Sequence, residues 1–248
     1  KNRGGSVKVL IIGSGGREHT LAWKVSQNSK VEKIYAIPGN PGIALLADCI
    51  NLDINNNQEI VKFALDNKID LTIVGPEVPL TNGLVDELAE VGLKAFGPTK
   101  VAAEIEGSKA FSKWLMKKYD IPTARFEVFE EAELAKKYVN ELGAPIVIKA
   151  DGLAAGKGVI IAQTIAEATE AIDSIMCDKA FGSAGHKVVI EEFLVGEEAS
   201  ILTFTDGETI VPMISAQDHK RIFDNDEGLN TGGMGTYAPA PIITAELL

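Results

Sequence analysis

Cysteine is scarce in this sequence. Cys49 and Cys177 are the only two, and neither stands at metal-ligand spacing, which excludes a disulfide framework and a structural zinc site. Such usage suits a reducing, cytoplasmic setting. Long apolar runs are missing as well: nothing approaches the about 18 residues of a membrane span, and no signal peptide is read. Positive charge is in short supply, with 24 Lys and Arg against 35 Asp and Glu and a net charge of −11. That balance repels nucleic acid and anionic membranes, so neither is an expected partner. A local cluster of Lys, Arg and backbone N–H groups can still hold a phosphorylated small molecule. The remainder is ordinary for a globular chain, 46% hydrophobic and 24% charged over 248 residues, long enough for a solid core and two domains. Residues 1–6 read as a disordered leader or an expression remnant.

The most informative stretch is 145–162. A β-branched run ending at Lys149 leads into a loop with Asp151, Gly152, Gly156, Lys157 and Gly158, and a second β-branched run, Val159–Ala162, follows at once. Without a Cβ, backbone N–H groups can close on phosphate oxygens, and the two lysines add point charge. The spacing G-x-x-x-x-G-K-[ST] is not met. Gly152 to Gly156 is one residue too short, Gly158 replaces the Ser/Thr, and a strand follows where a helix is required. The stretch is therefore read as a strand–loop–strand flap over a nucleotide, with an ordinary Gly-rich hairpin as the alternative.

Toward the N-terminus, Val7–Ile12 is a nearly continuous apolar run, as in a strand buried on both faces. Gly13, Ser14, Gly15, Gly16 and Arg17 then open a helix. The turn is close to a dinucleotide fingerprint but carries Glu18 where the third glycine belongs, and the next strand ends without an acidic ribose hook, so NAD is rejected. A helix start behind glycines, with Arg17 beside it, still suits phosphate. Further strands at Leu71–Val74 and Lys94–Phe96, with helices at 57–67 and 82–91, complete a β-α-β-α-β-α-β unit over 7–100. Its ligand edge gathers the loops 13–19, 38–42, 75–80 and 97–99, where Gly75, Pro76 and Glu77 suit a hydroxyl or amine.

Past residue 100 the pattern changes. Lys109 stands at a helix start, where a cation gains nothing from the dipole, which favours a phosphate partner. Residues 122–190 read as a small α+β lid, β-α-β-β-α-β, within a second domain over 101–248. The strand at 187–193 ends in Glu191, Glu192 and Phe193, which with Glu198 can face a purine and its ribose. A hairpin turns at Asp206-Gly207. The stretch 217–235, with Asp218, His219, Lys220, Arg221 and later Asn230, Gly232 and Gly233, shows no apolar periodicity and reads as a long functional loop.

Taken together, these motifs resemble the phosphoribosylamine–glycine ligase (glycinamide ribonucleotide synthetase) family, ATP-grasp enzymes of purine biosynthesis. The resemblance runs from Val7 to Leu248 and rests on 13–19, 74–77, 106–109, 149–158, 191–193, 217–221 and 230–235. It implies a doubly wound parallel sheet followed by a truncated ATP-grasp domain. It also implies ligation of glycine to 5-phosphoribosylamine at the expense of ATP, through an acyl phosphate. Lys109, Lys149, Asp151, Gly152, Gly156, Lys157, Gly158, Glu191, Glu192, Phe193 and Glu198 would meet ATP. Gly13, Gly15, Gly16, Arg17, Gly75, Pro76, Glu77, Asp218, Gly232 and Gly233 would meet the other substrates. Lys220, Arg221 and Asn230 would face the transferring phosphate. Mg²⁺ or Mn²⁺ is implied, with its ligands expected beyond Leu248 and none assigned here. The chain is thus expected to be a piece of the ligase or of a multifunctional purine enzyme carrying it. A different ATP-grasp carboxylate–amine ligase and a nucleotide-binding piece without turnover are the alternatives.

Overall fold

A computed structural model describes residues 6–154, 158–178 and 180–248, the side chains of Ser183, Asp226, Leu229 and Asn230 excepted. The chain divides into two compact units, 1–115 and 116–248.

In the first unit, β1 (Val7–Gly13) leads through α1 (Gly16–Ser26) to β2 (Val31–Pro38), a 3-10 turn at Ile43–Leu45, and β3 (Asp48–Cys49). The chain then crosses back through α2 (Asn57–Asp66) to β4 (Leu71–Val74), and through α3 (Glu77–Thr81) and α4 (Leu84–Glu90) to β5 (Ala95–Phe96). Helices α5 (Lys100–Gly107) and α6 (Lys109–Lys118) follow, and the division between units falls within α6. The sheet is parallel, in the order β3-β2-β1-β4-β5. Central β1 feeds both cores by its period of two: Leu10 and Ile12 pack beneath α2 and α4, while Val9 and Ile11 join Ala22 of α1 on the opposite face.

Three details differ from the sequence-based expectation. Strand β3 has only two residues, too few for any periodicity. The helix expected at 82–91 starts at Leu84, because Gly83 adopts φ +89° and breaks it from α3. Residues 77–81, expected as loop, form the short α3. Pro79 is tolerated there because a first-turn N–H has no intrahelical acceptor.

The second unit is built on an antiparallel sheet of β6 (Phe126–Phe129), β7 (Ile146–Ala150), β8 (Val159–Ala162) and β9 (Val188–Glu192), in the order β6-β9-β7-β8. Helices α7 (Ala132–Leu142) and α8 (Ile165–Ile172) supply Ala135, Val139, Ala168 and Ile172 to one core, facing Ile146, Ile148, Ala150, Val188 and Ile190. A π-turn at Asp173–Cys177 continues α8. It is tied to α7 by Lys136, whose Nζ lies 2.6 Å from Asp173 Oδ1 and 3.0 Å from Glu133 Oε1. Downstream, β10 (Thr203–Thr205) and β11 (Ile210–Pro212) form the hairpin expected about Asp206-Gly207.

The stretch expected as a long loop is instead a second hairpin, β12 (Gln217–Phe223) with β13 (Glu227–Tyr237). Its register shifts twice, and among the described residues it pairs with no third strand. Most described side chains of the ribbon are at least partly exposed, so the alternation that marks a half-buried strand is absent.

Two measurements probe this core. Ile148→Ala, at a fully buried position on central β7, should lower unfolding free energy by about 3 kcal/mol in denaturant titration. The second concerns acid. The hydrogen bond from Lys136 holds the Asp173 carboxyl below its usual 3.8. Its stabilisation is complete well above pH 3.8 and is lost as pH falls through the lower folded value. The melting temperature should therefore fall more steeply below about pH 4 in the native chain than in Asp173→Asn.

Candidate nucleotide and substrate sites

The face of the β6-β9-β7-β8 sheet opposite the helices forms one wall of an open cavity of about 620 Å³. The pleat decides what stands there: Ile146, Ile148 and Ala150 point into the core, while Val147 and Lys149 line the cavity. Val159 and Ile161 of β8 add apolar wall, and the irregular segment 193–198 and the start of β12 close the space. Lys149 Nζ lies 2.9 Å from Glu191 Oε1 across β7 and β9, and Glu191 is only 6% exposed. The neighbouring Glu192 accepts from Arg125 N at 2.8 Å and Nε at 2.9 Å. A second lysine pair stands opposite: Lys220 Nζ lies 2.8 Å from Glu198 Oε2 and 3.3 Å from Asp218 Oδ2. Its hydrogen bond to Glu198 and the two nearby carboxylates raise the Lys220 pKa above the usual lysine value. His219 packs on Tyr237 with ring centres 5.6 Å apart. Arg221 Nη1 donates to Gly228 O at 3.3 Å.

In the first unit, Gly13, Gly15 and Gly75 meet at the carboxyl ends of β1 and β4, where the strand order reverses. The space beside these glycines is filled by Glu18. Its carboxylate accepts from Gly15 N at 2.7 Å and is buried. A Cβ on Gly13 would lie 2.6 Å from Glu18 Cγ, and one on Gly75 would overlap the carboxylate itself. The glycines therefore make room for an internal anion, which differs from the close phosphate approach expected of Gly13 and Gly15. Arg17 Nη1 donates to Gly75 O at 2.9 Å and lies 3.8 Å from Glu77 Oε1. Asn40 pins the third loop by donating to Ser14 O and accepting from Ile43 N, both at 2.8 Å.

Two family models match the chain: phosphoribosylglycinamide synthetase, N domain, over residues 7–106, and phosphoribosylglycinamide synthetase, ATP-grasp (A) domain, over residues 107–248. The chain belongs to the phosphoribosylglycinamide synthetase family. It is 57% identical over 235 residues to the phosphoribosylamine–glycine ligase of Halalkalibacterium halodurans, covering 95% of this chain and 55% of that protein. The enzyme of the same name from Neisseria meningitidis serogroup B is 54% identical over 238 residues, 96% of this chain and 56% of that one. The crystal structure of phosphoribosylamine–glycine ligase from Thermotoga maritima superposes with a TM-score of 0.79 at 34% identity, covering 94% of this chain and 56% of that one. The chain thus spans a little over half the length of these relatives.

The cavity gathers Lys149, Glu191, Glu192, Phe193, Glu198, Asp218, Lys220 and Arg221 from the residues read in the sequence. Lys109 opens α6 in the first unit. Asp151 lies just past β7, where its N–H donates to Ala184 O and Lys187 O. Gly152 packs against Ala184, and Gly158 against Ala150 and Ala154. Gly156 and Lys157 lie outside the described residues. Asn230 pairs with Arg221 in the ladder, and Gly232 and Gly233 follow on β13. Pro76 caps the start of α3. Sequence reasoning missed Arg125 and the apolar wall at Val147, Val159 and Ile161, and gave Gln217 no role beyond its place in the 217–221 motif. The period of two in β7 and β8 was the available signal for that wall. It also gave Glu18 no role beyond breaking the fingerprint.

The packing of Glu18 yields a thermodynamic cycle. Gly75→Ala should cost about 1–3 kcal/mol through overlap with the carboxylate. Added to Glu18→Ala, the same change should cost distinctly less, because the space is then open. Equal costs of Gly75→Ala in the two backgrounds would show that Glu18 does not fill this space.

Proposed function

We propose that the chain is the ATP-binding and substrate-binding part of an enzyme that joins glycine to 5-phosphoribosylamine, yielding glycinamide ribonucleotide, ADP and phosphate. The glycine carboxylate attacks the γ-phosphorus and ADP leaves. The ribosylamine nitrogen then attacks the acyl carbon, releasing phosphate and a proton. The observation that carries this reading is the cavity that collects Lys149, Glu191, Glu198, Asp218, Lys220 and Arg221 in a chain of this family.

The residues divide the work by charge and position. Lys149 is held at the cavity wall by Glu191 and is the natural partner of the ATP phosphates, since positive charge in a partly desolvated site acts more strongly than in water. Val147, Val159 and Ile161 give the adenine an apolar wall, and Glu198 offers an acceptor to ribose hydroxyls. Lys220 and Arg221 act on the transferring phosphate, with Asn230, Gly232 and Gly233 beside them on the ribbon. Lys109, Asp151, Gly152, Gly156, Lys157 and Gly158 complete the assignment to ATP. In the first unit, Gly16, Arg17 and Glu77 are assigned to phosphoribosylamine.

Mg²⁺ or Mn²⁺ would screen phosphate charge when bound. No group of three or more His, Cys, Asp or Glu able to hold a metal occurs among the described residues, so no residue is assigned to it and no step runs through it. Among the described residues no helix is long and apolar enough to cross a membrane. A cytoplasmic location accords with the substrates proposed.

Calorimetry and product analysis test the reading. Lys149→Met should weaken ATP binding about tenfold or more and leave adenosine binding nearly unchanged, since the lost contact is to phosphate. In a chain extended to the length of its relatives, phosphate release should require glycine and 5-phosphoribosylamine together. Unchanged ATP affinity, or release driven by bicarbonate or another acid, would overturn the assignment.

A further inference from the structure

The cavity holds two lysine–carboxylate pairs built in different ways. Lys149 and Glu191 stand on adjacent strands, β7 and β9, and Glu191 is buried. Lys220 also stands on a strand, where its carbonyl accepts from Thr231 Oγ1 at 2.8 Å. Its partner Glu198 belongs to the segment 193–199, which has neither helix nor strand. The Glu198 side chain is 69% exposed and that of Lys220 is 42% exposed. One pair is thus fixed by its sheet, and the other has an acid that can be re-aimed at low cost.

We propose that Glu198 is a specificity-determining residue that withholds Lys220 from a bare polyphosphate and releases it to a nucleotide. The inference rests on the proposed binding of ATP in this cavity. Its chemistry follows from the donors each ligand brings. A polyphosphate offers only negative oxygens, so to reach Lys220 it must break the 2.8 Å pair and leave Glu198 facing like charge. A nucleotide also carries two vicinal ribose hydroxyls, and a carboxylate is an acceptor able to take both. The ribose satisfies Glu198 as Lys220 turns to the phosphates. Asp218, 3.3 Å from the same ammonium, keeps Lys220 in the cavity during the exchange. The pair is exposed enough to be worth only about fivefold in affinity, which a ligand can overcome.

The experiment is calorimetric titration of the native chain, Glu198→Gln and Glu198→Gln/Lys220→Met with three probes: inorganic tripolyphosphate, ATP and 2′,3′-dideoxy-ATP. Glu198→Gln should bind tripolyphosphate about fivefold more tightly than the native chain. The preference for ATP over the dideoxy nucleotide should shrink toward unity, and the gain for tripolyphosphate should vanish in the double variant. A residue with a merely structural role would lower affinity for all three probes. Unchanged or weaker tripolyphosphate binding in Glu198→Gln overturns the proposal, as does a gain that survives loss of Lys220. If Lys149→Met leaves ATP affinity unchanged, the nucleotide reading itself fails and this inference falls with it. If Lys149→Met weakens ATP while Glu198→Gln shows no gain, only this inference falls.

Discussion

A lysine ammonium set 2.9 Å from a buried carboxylate, Lys149 to Glu191, is the contact on which the second unit's cavity depends. Neither charge could stand alone in that wall. Removing one partner of a buried pair costs about 3–5 kcal/mol because the other is stranded, and Lys149, a quarter exposed, puts this pair toward the low end. The same contact sets a lysine in the cavity wall with its charge already balanced by a carboxylate. Val147 beside the pair and Ile148 behind it hold both side chains on a sheet that cannot move without disturbing the core.

The two units leave different parts of their sheets uncovered. In the first, a parallel sheet reverses its order beside β1, and the loops after β1 and β4 meet at its edge. In the second, an antiparallel sheet gives one face to two helices and the other to a cavity. A parallel sheet buried on both faces has only its ends to offer a ligand, whereas a sheet covered on one side has a face.

Much of this was legible in the sequence because burial writes itself as pattern. The run Val7–Ile12 announces a central strand, and Lys149 among β-branched residues announces a charged position in a wall. The ribbon 217–237 was illegible because its described side chains present no face buried against a core, so nothing in its pattern separates it from loop. Glu18 was illegible for another reason. Its role depends on Gly13, Gly15 and Gly75 converging, and Gly75 is brought there only by the pairing of β1 with β4. The adjacent acids Glu191 and Glu192 look equivalent in sequence, yet one meets Lys149 and the other Arg125.

Consecutive residues on a strand face opposite ways, so a one-residue slip of β9 that brought Glu192 before Lys149 would carry Glu191 to the place of Ile190. The same slip would turn Ile190 out of the core, where it sits opposite Ile148. The misfolded chain that would carry a miswired site is therefore the one its own apolar residues reject. Proofreading of the charges is done by side chains buried on the opposite face of the sheet.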